Sequence, residues 1–231
     1  MEPAAGHRNA LAVAFDLYGT LLDLAPLAAV CDRLAPGRGA ELSARWRARQ
    51  LEYSWLRAAM GTWADFWQVT AEALAAVCAE LGIATDGPAL AAVRDAWLRL
   101  PPRDGVAEAL EALAASRRPL LVLSNATTRM LGTSLQAAGL GRWFDQLLST
   151  DAVRTFKPAP AVYALAADAL RLPPERIGFV TANAWDAAGA TAFGFSVAWL
   201  RPTPGSPFPR LGVPTPVATD WADIPRLFGT E

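Results

Sequence analysis

The sequence predicts an α/β fold: a parallel sheet core with helices on both faces, plus an inserted helical cap subdomain. Three observations carry this. Short apolar runs, two of them ending at a polar residue, alternate with helical patterns over the second half of the chain. A matching run near the N-terminus ends in a lone acid, Asp16. Between that run and the alternating region, about 75 residues are helical throughout, at 24–100.

The first strand is expected at 11–16 (LAVAFD), followed by the turn-forming Gly19. Further strands are expected at 119–124 (PLLVLS), at 177–180 leading to Thr181, and at 195–200 (FSVAWL). Helical patterns lie at 106–116, 129–138 and 160–170. Pro160 suits a first helical turn and Gly139 a helix C-terminus. Within the cap, helices are expected at 39–60, 63–81 and 88–100, separated by turns at Pro36-Gly37, Gly61 and Asp86-Gly87-Pro88. The core then comprises 8–23 and 101–231. The Pro-rich stretch 202–216 reads as a surface loop. In open parallel sheets ligands bind beyond the carboxyl ends of the strands. Asp16, Ser124, Asn125, Thr181 and Asn183 would all stand there.

Composition narrows the chemistry. The 231 residues are 53% hydrophobic and 19% charged, which is a globular balance. Lys plus Arg number 21 and Asp plus Glu 22, so no bulk charge draws nucleic acid or an anionic membrane. The two cysteines, Cys31 and Cys78, sit in apolar or helical stretches and read as buried free thiols. No run has the length of a signal peptide core or a bilayer span, which points to a reduced, cytoplasmic setting. The single histidine, His7, is placed in a frayed N-terminal tail, which excludes His-dependent triads and His-rich zinc sites. Catalysis must come from carboxylates, Lys, Arg, hydroxyls and amides.

FDLYGTL at 15–21, LSN at 123–125, Lys157-Pro158 and NAWDAAGA at 183–190 follow one another with domain-like spacing. This series resembles the haloacid dehalogenase superfamily, whose core is Rossmann-like. WRARQLEYSWL at 46–56 and ADFWQVT at 64–70 resemble the cap of its L-2-haloacid dehalogenases. The likeness runs from about residue 11 to 200. It implies a metal-independent, cofactor-free hydrolase that converts short (S)-2-haloalkanoic acids to (R)-2-hydroxyalkanoic acids and releases halide. A homodimer, with apolar cap helices as its contact, is implied too.

By the same resemblance Asp16 is the nucleophile. A carboxylate attacking carbon forms an ester and splits one displacement into two easier steps. Phosphatases of the superfamily carry a second Asp two residues later as general acid; here that position is Tyr18. Halide leaves without a proton, so no such acid is needed. Phosphatases also place further acids in the last motif, and Thr181-Ala182-Asn183 has none. Asp186 paired with Lys157 is a poor site for a divalent ion.

Arg47 is expected to receive the halide together with Asn125, stabilising charge that develops in the transition state. Ser124 and the amides of Leu17 and Tyr18 are expected to hold the substrate carboxylate. Lys157 orients Asp16 and offsets charge between anionic substrate and nucleophile. Thr181, Asn183 and Asp186 position and activate water, with Asp186 as base. Thr20 belongs to the same catalytic set, and Tyr163 supports Asp16 or Lys157. Tyr18, Leu51, Phe66 and Trp185 form the apolar wall, while Trp46, Trp63 and Trp67 are structural. Four residues, at three places, depart from the resemblance. Ala126 replaces a usual Gly, and strain there is expected if positive φ is required. Thr181-Ala182 replaces two serines. Ala48 replaces a usual Gln, and a wider pocket is expected.

Overall fold

The computed structural model describes residues 7, 9–201 and 217–228. The stretch 202–216, expected to be a loop, lies outside them. Six parallel strands form one sheet: β1 (Ala12–Phe15), β2 (Leu120–Ser124), β3 (Gln146–Ser149), β4 (Ile177–Thr181), β5 (Ser196–Leu200) and β6 (Val217–Ala218), in the order β3-β2-β1-β4-β5-β6. β1, β2 and β4 are buried at every position, as parallel strands covered on both faces must be.

The strand order reverses at β1, so the crevice between diverging connections opens above its carboxyl end. Phe15 pairs with Val122 on one side and Val180 on the other. That register delivers Asp16, Ser124-Asn125 and Thr181–Asn183 to one edge of the sheet.

The helical block after β1 contains α1 (Pro26–Asp32), α2 (Gly39–Met60), α3 (Phe66–Glu80) and α4 (Gly87–Arg94), then a 3-10 turn at Asp95–Arg99. α2 spans the range expected for it and stops at Gly61, whose φ of 67° supplies a left-handed cap. α3 begins three residues later than expected because the Asp65 side chain accepts the Gln68 amide at 2.8 Å. The expected helix at 88–100 divides into α4 and the 3-10 turn. Trp46 and Trp97 lie fully buried between these elements, edge to face at 5.6 Å.

In the core, α5 (Val106–Ala114), α6 (Thr128–Ala137), α7 (Pro160–Leu170), α8 (Ala184–Phe193) and α9 (Asp223–Phe228) flank the sheet. Thr127 caps α6 by accepting the Met130 amide at 3.1 Å. β3, β6, α1, α8 and α9 were not expected from the sequence. β3 is a half-exposed edge strand (QLLS) too short to show a pattern, and α8 carries Gly and β-branched Thr among its alanines.

The frayed tail is corrected. His7 is 4% exposed, and its Nε2 lies 2.8 Å from the Val197 carbonyl, with the Phe228 ring at 5.3 Å. The imidazole is held by β5 and α9, away from the strand ends. Cys31 and Cys78 are free and buried, and burial pushes the Cys31 thiol up to about 12, so it stays protonated.

Candidate active site

Asp16 follows β1 into a loop that Gly19 turns, at φ 82°. The Asp16 amide still donates to the Val180 carbonyl at 3.0 Å, so its backbone is fixed to the sheet. Its side chain is 5% exposed and carries two kinds of partner. Oδ2 accepts from Thr20 Oγ1 at 2.8 Å and from Asn183 Nδ2 at 2.7 Å. Oδ1 meets only Lys157 Nζ, at 3.2 Å. Thr20 Oγ1 in turn accepts the Ala182 amide at 2.9 Å, and Asn183 Nδ2 also donates to the Tyr18 carbonyl at 3.1 Å. One oxygen is thus locked and the other comparatively free.

Lys157 is fully buried between two carboxylates, 3.2 Å from Asp16 Oδ1 and 2.8 Å from Asp186 Oδ2. Tyr163 donates to the other Asp186 oxygen at 2.8 Å. Burial raises the Asp186 carboxyl well above the ordinary carboxylate range; Lys157 opposes the rise, and Asp16 adds to it. Tyr163 is likewise held protonated by burial, so it is a permanent donor. An ammonium occupies the space between the carboxylates that a divalent ion would need. Among the described residues no group of three His, Cys, Asp or Glu side chains is arranged to hold a metal.

Above Asp16 lies a cavity of about 10 Å³, the room of one water molecule, lined by Asp16, Tyr18, Arg47, Phe66, Ser124, Asn125 and Trp185. Arg47 reaches it from α2, half-buried, its guanidinium 5.5 Å from the Trp97 ring. Desolvation pulls the Arg47 pKa down to about 10, against the pull of Asp16, Tyr18 and Asp186, so it remains a cation at neutral pH. Asn125 Oδ1 accepts the Lys157 amide at 2.9 Å, which fixes the side-chain orientation and leaves Nδ2 for the cavity. Its carbonyl accepts from Thr150 at 3.0 Å. Ser124 Oγ accepts the Ala126 amide at 3.2 Å, so its hydroxyl proton is free to donate. The Leu17 and Tyr18 amides donate to no described residue. The Tyr18 hydroxyl donates to Ser134 at 3.0 Å, because Ser134 spends its own proton on the Trp97 carbonyl at 3.2 Å.

Most of the sequence-predicted residues therefore converge, in two layers. Tyr18, Arg47, Phe66, Ser124, Asn125 and Trp185 face the cavity with Asp16; Thr20, Lys157, Asn183, Asp186 and Tyr163 stand behind it. Four placements differ from expectation. Tyr163 donates to Asp186 and not to Asp16 or Lys157. Leu51 is half-buried but does not line the cavity. Thr181 is fully buried, and its hydroxyl oxygen accepts the Asn183 amide at 3.1 Å. It thus acts on Asn183. Asp186 has no exposed surface, and both its oxygens are occupied, by Lys157 and Tyr163, so it does not face the cavity.

Two of the departures also resolve. Positive φ among described non-glycine residues occurs only at Arg117, Arg154 and Arg171, so Ala126 is unstrained. Ala126 is fully buried, with its carbonyl accepting from Ser149 at 2.8 Å. Ala48 is exposed and lines a surface groove with Arg45, Arg49, Glu52, Val77 and Glu80, so it does not widen the cavity. A step of one residue turns a side chain about 100° from Arg47's face.

Sequence reasoning missed Gln50, Thr70, Ser134 and Thr150, which touch site residues without facing the cavity. Gln50 had one signal: it sits three residues after Arg47, on the same helix face. Trp55 was missed as well; it meets Trp185 edge to face at 5.6 Å and joins α2 to α8 beside the cavity.

Comparison with known proteins agrees with this geometry. Residues 11–194 match the family model described as haloacid dehalogenase-like hydrolase. The chain is 44% identical over 219 residues to an (S)-2-haloacid dehalogenase of Pseudomonas sp. (strain YL), covering 94% of each chain. It is 46% identical over 187 residues to one from Xanthobacter autotrophicus, covering 81% of this chain and 73% of that one. The structure of L-2-haloacid dehalogenase from Xanthobacter autotrophicus with chloropropionic acid covalently bound aligns with a TM-score of 0.87 at 38% identity, covering 94% of this chain and 98% of that one.

Proposed function

The chain belongs to the haloacid dehalogenase-like hydrolases, and on that premise we propose that it hydrolyses short (S)-2-haloalkanoic acids to (R)-2-hydroxyalkanoic acids through an ester on Asp16, without a metal. One observation carries the reading. A carboxylate with one oxygen held by Lys157 alone faces an arginine across a cavity walled by Tyr18, Phe66 and Trp185, with a tyrosine where a phosphatase needs an acid.

In this reading the substrate carboxylate takes the Ser124 hydroxyl and the Leu17 and Tyr18 amides. Asp16 Oδ1 attacks C2 from the face opposite the halogen. The C–X bond breaks, and halide leaves with its electron pair toward Arg47 and Asn125 Nδ2. Lys157 offsets the repulsion between the anionic acid and Asp16, which would be large in a dry pocket. Water then attacks the Asp16 carboxyl carbon. Charge growing on Oδ2 is met by Thr20 and Asn183, already placed at 2.8 and 2.7 Å. Lys157 passes a proton to Asp186 and takes one from the water. The bond from the Asp16 carboxyl carbon to the ester oxygen breaks with its electron pair going to that oxygen, which takes one of the water's two protons to become the product hydroxyl; the other proton leaves to solvent as Asp16 returns to its carboxylate. The C2–oxygen bond survives, so only the first step inverts C2.

Finer expectations accompany this reading. Residues 24–100 act as a cap on a core of 8–23 and 101–231; entry of substrate requires the cap to part, since the cavity is about 10 Å³. A homodimer is supported by exposed apolar side chains on α2, Trp55, Leu56 and Met60. A cytoplasmic location is supported by two free, buried cysteines.

The test is halide release from separate (S)- and (R)-2-chloropropionate, with EDTA present and D16N as control. Release from the (S) form alone, lost in the variant, is expected. Release from neither enantiomer, or dependence on a divalent metal, overturns the reading.

A further inference from the structure

The arginines of α2 are not treated alike. Arg45 pairs with Glu41 at 2.8 Å, Arg49 with Glu52 at 2.8 Å and with Glu80, and Arg57 with Glu72 at 2.6 Å. Arg47 makes no ion pair among the described residues. Its Nη1 donates instead to the neutral Gln50 Oε1, at 2.6 Å.

The amide is held so that it presents its oxygen. Gln50 is fully buried, and its Nε2 donates to Thr70 Oγ1 at 2.6 Å. Thr70 spends its hydroxyl proton on the Phe66 carbonyl at 2.6 Å, so its oxygen has only an acceptor face left. Gln50 must therefore turn its NH2 toward Thr70 and its carbonyl toward Arg47. The Thr70 backbone is pinned in turn by Trp46, whose Nε1 donates to the Thr70 carbonyl at 2.8 Å. A carboxylate at position 50 would give Arg47 the same geometry and cancel its charge.

Resting on the dehalogenase reading, we propose that Gln50, locked by Thr70, is a positioning residue that holds Arg47 as a cation no partner carboxylate offsets, reserving its charge for the departing halide. The chemistry needs this arrangement. A fixed cation stabilises a leaving anion only to the extent that it is not already neutralised, and pre-set geometry avoids reorganisation in the transition state. Gln50 tethers without neutralising.

The experiment is single-turnover kinetics of Q50E on (S)-2-chloropropionate and (S)-2-bromopropionate, reading halide release and ester hydrolysis separately. Expected is a loss of about a hundredfold in chloride release, the scale of losing one transition-state donor. The loss should be smaller for bromide, the better leaving group, with ester hydrolysis at the parent rate. Parent-rate chloride release in Q50E overturns the proposal. So does an equal loss in both steps and on both halides, which marks a packing role. If Q50E does not fold, T70V and T70S decide. T70V should slow chloride release about tenfold, as for a group that orients another, and T70S should restore it. T70V at the parent rate overturns the proposal. A parent chain that releases no halide overturns the proposal and the dehalogenase reading together; an active parent with an indifferent Q50E overturns the proposal alone.

Discussion

Tyr163→Phe isolates the electrostatics behind Asp16. The hydroxyl is fully buried and donates to Asp186 Oδ1 at 2.8 Å. Its ring packs on Phe179, Phe193 and Phe195 at 6.0, 5.9 and 5.9 Å, contacts that phenylalanine keeps. A hydrogen bond to a charged group is worth about 1.5–3 kcal/mol. At 1.36 kcal/mol per pKa unit, its loss raises the Asp186 pKa by about 1–2 units. The sign is fixed by chemistry: a protonated phenol favours the ionised carboxylate, so removing it favours the protonated acid. Burial has already raised Asp186 above its unfolded value of 3.8. If ionised Asp186 receives the water's proton, the acid limb of ester hydrolysis should move toward higher pH by that amount, while halide release stays near the parent rate. Stability follows the same linkage. A raised acid stabilises the fold fully below its unfolded pKa and loses that contribution as pH rises through the folded one. The stability lost in Y163F should accordingly be larger at pH 7 than at pH 4. Rate–pH profiles of single-turnover hydrolysis and urea melts at the two pH values measure both. An acid limb that stays in place refutes the assignment of Asp186 as proton acceptor.

Three further substitutions probe the surroundings. A Cβ on Gly189 would meet Tyr163 Oη at 2.5 Å and Pro158 Cβ at 2.6 Å. G189A should therefore cost about 1–3 kcal/mol in urea unfolding, as overpacking does, and shift the acid limb as Y163F does. A126G should lower stability by about 0.5–1 kcal/mol, the entropy of an unneeded glycine, and leave halide release unchanged, since the Ala126 backbone is unstrained. A48Q should leave the rate ratio between chloroacetate and (S)-2-chlorobutyrate unchanged, because Ala48 faces the outer groove of α2.

What the sequence disclosed follows a physical division. Parallel strands buried on both faces are unbroken apolar runs, so β1, β2, β4 and β5 were legible, and the polar residues at the ends of β1, β2 and β4 located the candidate site's edge of the sheet. β3 and β6 were not: an edge strand of four residues and one of two bury too little to leave a pattern. The site divides in the same way. Residues with distinctive chemistry stand out by type and place: Asp16 at a strand end, Arg47 on a long helix of the inserted block, Lys157 before Pro158. Residues that act by orienting another group do not. Gln50, Thr70, Ser134 and Thr150 are ordinary in any helix or loop; only their hydrogen bonds reveal them, and those join positions 20 or more apart or lie within an unmarked helix turn.

The errors point the same way. Ala126 and Ala48 were judged by what usually stands there, and local geometry decides both: the condition for strain at Ala126 is not met, and Ala48 does not reach the cavity. φ at Ala126 is ordinary, and one residue along α2 turns Ala48 away from the cavity. Asp186 was expected to act on water directly, whereas its burial and its two partners, Lys157 and Tyr163, set it behind the cavity. On the proposed mechanism it reaches water only through Lys157, so the second step would depend on an ammonium held between two carboxylates. That dependence has a direction. Before the ester forms, Lys157 lies between two carboxylates, 3.2 Å from Asp16 and 2.8 Å from Asp186. Once Asp16 is an ester, only Asp186 remains, and a carboxyl already biased by burial toward its protonated form is positioned to take that proton. Ester formation thus switches on the base that removes the ester.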